Sequence, residues 1–258
     1  MITSSTPTDW RDLQEQVAAI LRECGFAVEV EKTLRTVRGD TAVDVYAEET
    51  VKGRKYIILC ECKHWTASVP KSVIHGFRTT LGDVGANAGY VIASSGFQSG
   101  AFEASELTNL ELVTWKGFQA KFEESWLEYF SKSLSERLDA LLTYTEPLLP
   151  KWFDALPNEQ QAAYLGLKTK YDPLGHLVML LTPYVRVFNR EPFPALPLRT
   201  HFANKPEFCA AIPADVLDIT GYSELHAALV RHGDAAIAEF RAIRALSGAS
   251  TTPTESHE

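Results

Sequence analysis

The chain has 258 residues, 45 % of them hydrophobic, with a formal net charge of −8 and a sequence pI near 5.4. That length allows two ordinary domains with real cores, and no apolar run approaches what is needed to span a bilayer. Residues 1–116 hold 12 basic and 15 acidic side chains and residues 117–258 hold 13 and 18, so neither half binds nucleic acid by bulk charge. Any contact with phosphate must come from a local patch or a metal ion.

The N-terminal residues show neither a basic region nor an apolar stretch of the secretory type. Cys24, Cys60, Cys62 and Cys209 fit neither a disulfide framework nor a zinc spacing. A reduced, cytoplasmic protein is expected.

Asp9 or Thr8 can cap a helix over 10–24, where Trp10, Leu13, Val17, Ile20, Leu21 and Cys24 form an apolar stripe that ends at Gly25. Gln14 lies on the flank of that stripe, about 70° from its centre, and Glu15 lies nearly opposite. A strand follows over 26–30, fraying by Thr36, and then a turn region with Arg35, Arg38, Gly39 and Asp40.

A second strand covers 42–47. Its exception is Asp44, an aspartate between two valines in a setting where aspartate is depleted. Alternation places Val43, Val45 and Ala47 on one face and Ala42, Asp44 and Tyr46 on the other. A hairpin turn with Gly53 at its tip leads into residues 55–63, an apolar run that ends in Glu61 and Lys63. These two charges share a strand face. With the turn centred on Lys52 and Gly53, Asp44 falls near cross-strand register with Glu61, so two carboxylates and a lysine converge at one sheet end. The competing reading is a structural Glu–Lys pair, worth at most about 1 kcal/mol if exposed.

Next come a turn with Trp65 and Pro70, a helix over 71–82, a strand over 89–93, the turn Ser94-Ser95-Gly96-Phe97, a short helix over 98–107 and a strand over 110–115. The order α-β-β-β-α-β-α-β predicts an α/β fold, a mixed sheet flanked by helices. Residues 117–150 read as one long helix with Phe118, Phe122, Trp126 and Phe130 on its apolar face. Helices are expected over 158–168, 173–184 and 222–246, the last with a potential break at Gly233. An ordered proline-rich loop is expected over 188–206. The domains expected are 1–116, a helical 117–246 and a disordered tail over 247–258.

Taken together, residues 10–115 resemble the Mrr-type restriction endonuclease domain, a branch of the PD-(D/E)XK nuclease fold. The resemblance rests on Ile20 to Phe26, on Gly39-Asp40-Thr41-Ala42-Val43-Asp44, on Cys60-Glu61-Cys62-Lys63, and on Ser94-Ser95-Gly96-Phe97 followed by Ala101. It implies a Mg²⁺-dependent endonuclease acting on DNA, with Mn²⁺ able to substitute, and a role in bacterial defence against foreign or modified DNA. Asp44 and Glu61 would hold the cation with the backbone carbonyl of Cys62, and Lys63 would orient the attacking water or stabilise the transition state.

Two positions depart from the family pattern. Gln14 stands where the first helix often carries a glutamate, and it would orient water or substrate there. Ala42 replaces a second glycine. The alternative is a degenerate nuclease fold serving as a nucleic-acid- or partner-binding scaffold. By analogy the helical half would serve dimerisation, as a homodimer, or target recognition or control.

Overall fold

The computed structural model describes residues 1–185 and 192–246. They fall into two compact units, Met1–Tyr129 and the residues from Phe130 on. Helix α1 spans Trp10–Glu23, capped by the Asp9 side chain, which accepts from the Asp12 N–H at 2.9 Å. It closes on Gly25 (φ +96°), with the Phe26 N–H donating to the Leu21 carbonyl, so a left-handed glycine satisfies the last carbonyls. Leu13, Val17, Ile20 and Leu21 are buried as the stripe predicts. Trp10 is not. It sits in the first helical position, beyond the core, 47 % exposed and with the Arg11 guanidinium over its ring.

Strands β1 (Ala27–Thr36), β2 (Gly39–Val51) and β3 (Arg54–Lys63) form an antiparallel meander. The first hairpin is tighter than expected. Arg35 pairs with Asp40 and Thr36 with Gly39, so most of the expected turn region is strand and only Val37 and Arg38 form the connection. The β2–β3 turn is Lys52-Gly53 with both residues at positive φ, 50° and 77°, the geometry whose twist matches that of paired strands. Strands β4 (Ala88–Ala93) and β5 (Leu110–Thr114) add in parallel, giving a mixed sheet in the order β1-β2-β3-β4-β5.

Helices α2 (Lys71–Val84) and α3 (Ser99–Ser105) supply the crossovers. Ile74, Phe77 and Leu81 of α2 and Ala101 and Ala104 of α3 pack with Tyr46, Leu59 and Val91 of the sheet. On the other face Val45, Ala47, Cys60 and Ile92 are fully buried. There Tyr90 meets the rings of Phe118 and Phe122 at 5.8 and 5.6 Å. These two belong to α4 (Trp115–Thr145), so the first unit takes the start of this helix with it and ends beyond residue 116.

The second unit is helical. Helix α5 runs unbroken over Asn158–Leu181 with Pro173 inside it, where two helices were expected. An interior proline costs about 3 kcal/mol. Tyr164 on one side of it and Leu174, Leu177, Val178 and Leu181 on the other are all buried, and each such side chain contributes about 1.5–3 kcal/mol. Packing therefore carries the helix through. The helix Tyr222–Ala245 is likewise continuous through Gly233. A Cβ there would lie 2.5 Å from Leu138 Cδ2, so Gly233 marks a close approach rather than a break, at the residue where α4 leaves helical geometry. The proline-rich stretch contains a short helix, Leu198–His201, and its first residues to 191 lie outside the described residues, as does the tail over 247–258. Among the described residues no helix is long and apolar enough to cross a membrane.

Candidate active site

The β2–β3 ladder runs from Val51↔Arg54 to Val45↔Cys60. One further step in the same register sets Asp44 opposite Glu61, as the turn at Lys52-Gly53 predicts. In a two-residue hairpin the closing pair is hydrogen-bonded, and every second pair after it is too. On that count the Cys62 N–H would next reach for Val43. Instead it donates to Asp44 Oδ2 at 2.6 Å. A side-chain carboxylate thus takes the place of a ladder carbonyl, which explains an aspartate inside a strand.

The strands are distorted at this point. Val43 and Tyr46 join the same core cluster, so the expected alternation, with Val43 on the face of Val45, fails across Asp44. In β1 the residue opposite Asp44 is Glu31, between the pairs Val30↔Val45 and Lys32↔Val43, and its φ is +53°. That is left-handed backbone, costly for any residue with a Cβ.

Glu61 is ion-paired with Lys63, and their side chains are only 21 % and 17 % exposed. Burial raises the Glu61 carboxyl above its ordinary range, and the nearby charge of Asp44 raises it further. The hydrogen bond and charge of Lys63 act in the opposite sense. The Lys63 carbonyl accepts from the Ser94 N–H at 3.1 Å, toward β4. One residue earlier, the N–H and C=O of Cys62 turn toward β2. The Cys62 carbonyl thus faces β2, the strand that carries Asp44.

The thiols are not candidate ligands. Cys60 and Cys62 are buried in the sheet, and burial pushes both well above the ordinary thiol range. Among the described residues no three His, Cys, Asp or Glu side chains converge as a metal-ligand group. What remains is the Asp44 carboxylate, the Glu61 carboxyl beside it and a backbone oxygen. That donor set suits a hard divalent cation that keeps several waters.

Gln14 is joined to this group by no hydrogen bond among the described residues. It is buried in α1, 4 % exposed. Glu15 is 63 % exposed and lies 3.9 Å from Arg22, a solvated surface residue as expected. Sequence reasoning passed over Trp65, whose ring centroid lies 5.4 Å from Lys63 Nζ. It also noted Ser94 and Ser95 without a role. Their hydroxyls donate to the carbonyls of Trp65 (2.8 Å) and Ala67 (2.6 Å). The available signal was two hydroxyls directly after a strand parallel to β3.

Comparison with known proteins agrees with this geometry. Residues 6–121 match the restriction endonuclease family of the Mrr catalytic type. No curated protein matches the chain. A crystal structure of a protein of unknown function, AF1548, is similar over 71 % of this chain and 100 % of its own, at 15 % identity and a TM-score of 0.37, a likeness too slight to bear on the assignment. Residues 6–121 of this chain are therefore a restriction endonuclease domain of the Mrr type.

Proposed function

We propose that this protein is a divalent-cation-dependent nuclease that hydrolyses phosphodiester bonds in DNA. The observation that carries the reading is the Asp44 carboxylate, fixed on the Cys62 N–H and in register with Glu61, inside an Mrr-type domain. Asp44, Glu61 and the Cys62 carbonyl would hold Mg²⁺, with Mn²⁺ as a substitute. When bound, such a cation acidifies nearby water and offsets charge on the scissile phosphate, which also lets an acidic chain approach a polyanion.

The residues themselves do the positioning. The Cys62 N–H fixes one oxygen of Asp44 and leaves the other without a hydrogen bond among the described residues. Glu61 is held partly desolvated, where its charge acts through a lower dielectric. Lys63 carries three N–H donors at the end of β3, suited to orienting an attacking water or to meeting negative charge as it grows on phosphate oxygens. The family supports a role in bacterial defence against foreign or modified DNA. The four cysteines are free, in keeping with a reducing cytoplasm.

One observation favours the rival reading of a degenerate binding scaffold: Gln14 is neutral where the family often carries a glutamate. The homodimer expected of the helical half draws no support from the fold or the comparisons. Incubating the purified chain with plasmid, linear duplex and RNA in Mg²⁺ separates the two readings. The nuclease reading predicts cleavage of DNA by the wild type and none by Lys63→Ala; identical behaviour of the two proteins on every substrate would overturn it.

A further inference from the structure

Trp65 lies two residues beyond Lys63, in a segment that has left the sheet. Its ring is 43 % exposed, yet its backbone is tightly held. Ser94 Oγ donates to the Trp65 carbonyl at 2.8 Å and Ser95 Oγ to the Ala67 carbonyl at 2.6 Å. The Val69 N–H donates to the Gly96 carbonyl and the Gln98 N–H to the Val69 carbonyl, each at 3.0 Å. The Ser94 N–H donates to the Lys63 carbonyl at 3.1 Å, so these bonds extend the β3–β4 pairing past the strand ends. Gly96 makes the turn with φ +88°. The segment after Lys63 is thereby clamped along its length by the residues that follow β4.

The clamp has a consequence for Lys63. Its ammonium is ion-paired with Glu61 on one side and lies 5.4 Å from the Trp65 ring centroid on the other, inside the range of a cation–π contact. A lysine side chain has four rotatable bonds and about 2 kcal/mol of rotamer entropy to lose. A carboxylate alone restrains the distance of the ammonium but leaves it free to swing. An indole carried on a held backbone restrains the direction as well.

We propose that Trp65 is a positioning residue for Lys63, and that Ser94 and Ser95 support it by holding the backbone of residues 65–67 in place. The proposal rests on the reading of Lys63 as the group that meets the phosphate. It assigns Trp65 no contact with the reacting atoms.

The test has two arms, both on the full chain. In the first, NMR follows the ε-methylene protons of Lys63, assigned by their disappearance in Lys63→Arg. Ring current should shift them upfield of the other lysines in the wild type and in Trp65→Phe, and the shift should vanish in Trp65→Leu and shrink in Ser94→Ala. This arm does not depend on cleavage, so it stands or falls separately from the nuclease reading. An unchanged Lys63 resonance in Trp65→Leu overturns the proposal; if that variant does not fold, an unchanged resonance in Ser94→Ala does so.

The second arm is steady-state cleavage. Trp65→Leu should lower kcat about three- to tenfold with KM nearly unchanged, the size expected of one cation–π contact, and Trp65→Phe should recover most of the loss. A raised KM with unchanged kcat would mean that the indole contacts DNA instead, and would also overturn the proposal.

Discussion

The Asp44 carboxylate accepts the main-chain N–H of Cys62 at 2.6 Å, so a proposed cation ligand on β2 also completes the backbone pairing of β3. Structure and chemistry are coupled at this one contact, and different substitutions separate them. Asp44→Ala leaves a buried N–H without its acceptor and should cost about 1–3 kcal/mol of stability. Asp44→Asn keeps an acceptor oxygen and should stay within about 1 kcal/mol of the wild type while losing cation binding. Urea unfolding of the three proteins checks this. Equal losses in both variants would mean that the charge, not the hydrogen bond, holds the strands.

Glu61 predicts a pH dependence of stability. Its carboxyl is raised in the folded chain by burial and by Asp44, so the fold prefers its neutral form. Its contribution is therefore fully present below the ordinary value of 4.5 and is lost as pH rises through the raised value. Glu61→Gln removes this loss. Unfolding free energies of wild type and Glu61→Gln, measured from pH 4 upward by chemical denaturation, should diverge in favour of the variant as pH rises. Added Mn²⁺ should reverse the order, because a bound cation favours the ionised carboxylate. Parallel curves without metal would contradict the assigned environment.

Glu31 tests the distortion opposite Asp44. At φ +53° a side chain with a Cβ costs about 1 kcal/mol or more, and a β-branched one costs most. Glu31→Gly should leave stability unchanged or raise it by up to about 1 kcal/mol, whereas Glu31→Val should lower it by about 1–3 kcal/mol. Thermal unfolding measures both. If valine is tolerated as well as glycine, the left-handed conformation is not what this position requires.

Gly233 makes a prediction in the helical unit. Alanine is the better helix former by about 1 kcal/mol. Its Cβ would meet the buried Leu138 side chain at 2.5 Å, and overpacking costs typically ~1–3 kcal/mol. Gly233→Ala should therefore lower the melting temperature. A higher one would mean that Leu138 relaxes freely.

Much of the nuclease domain was legible because its signals are local. Lys52-Gly53 sets the turn, the turn sets the register, and the register brings Asp44 to Glu61. Glu61 and Lys63 needed only the two-residue period of a strand. The remainder depends on partners distant in the chain. Val43 crosses to the face of Tyr46 because the sheet twists at Glu31 and Asp44, and strict alternation does not anticipate that. Gln14 was placed on a flank by helical angle alone, but what covers a flank is decided by the packing of other elements. Pro173 reads as the start of a second helix until the burial on both sides of it is known. The Ser94 and Ser95 hydroxyls bond to carbonyls 29 and 28 residues earlier, a distance at which no pattern in one chain points to the partner.

Whether Asp44 and Glu61 form one cation site is decided by Mn²⁺ calorimetry on the purified chain. Wild-type binding should strengthen as pH rises through the raised value of Glu61 and be lost in both Asp44→Asn and Glu61→Gln. Equal Mn²⁺ binding by the wild type and both variants, or none by any of them, would contradict a shared site.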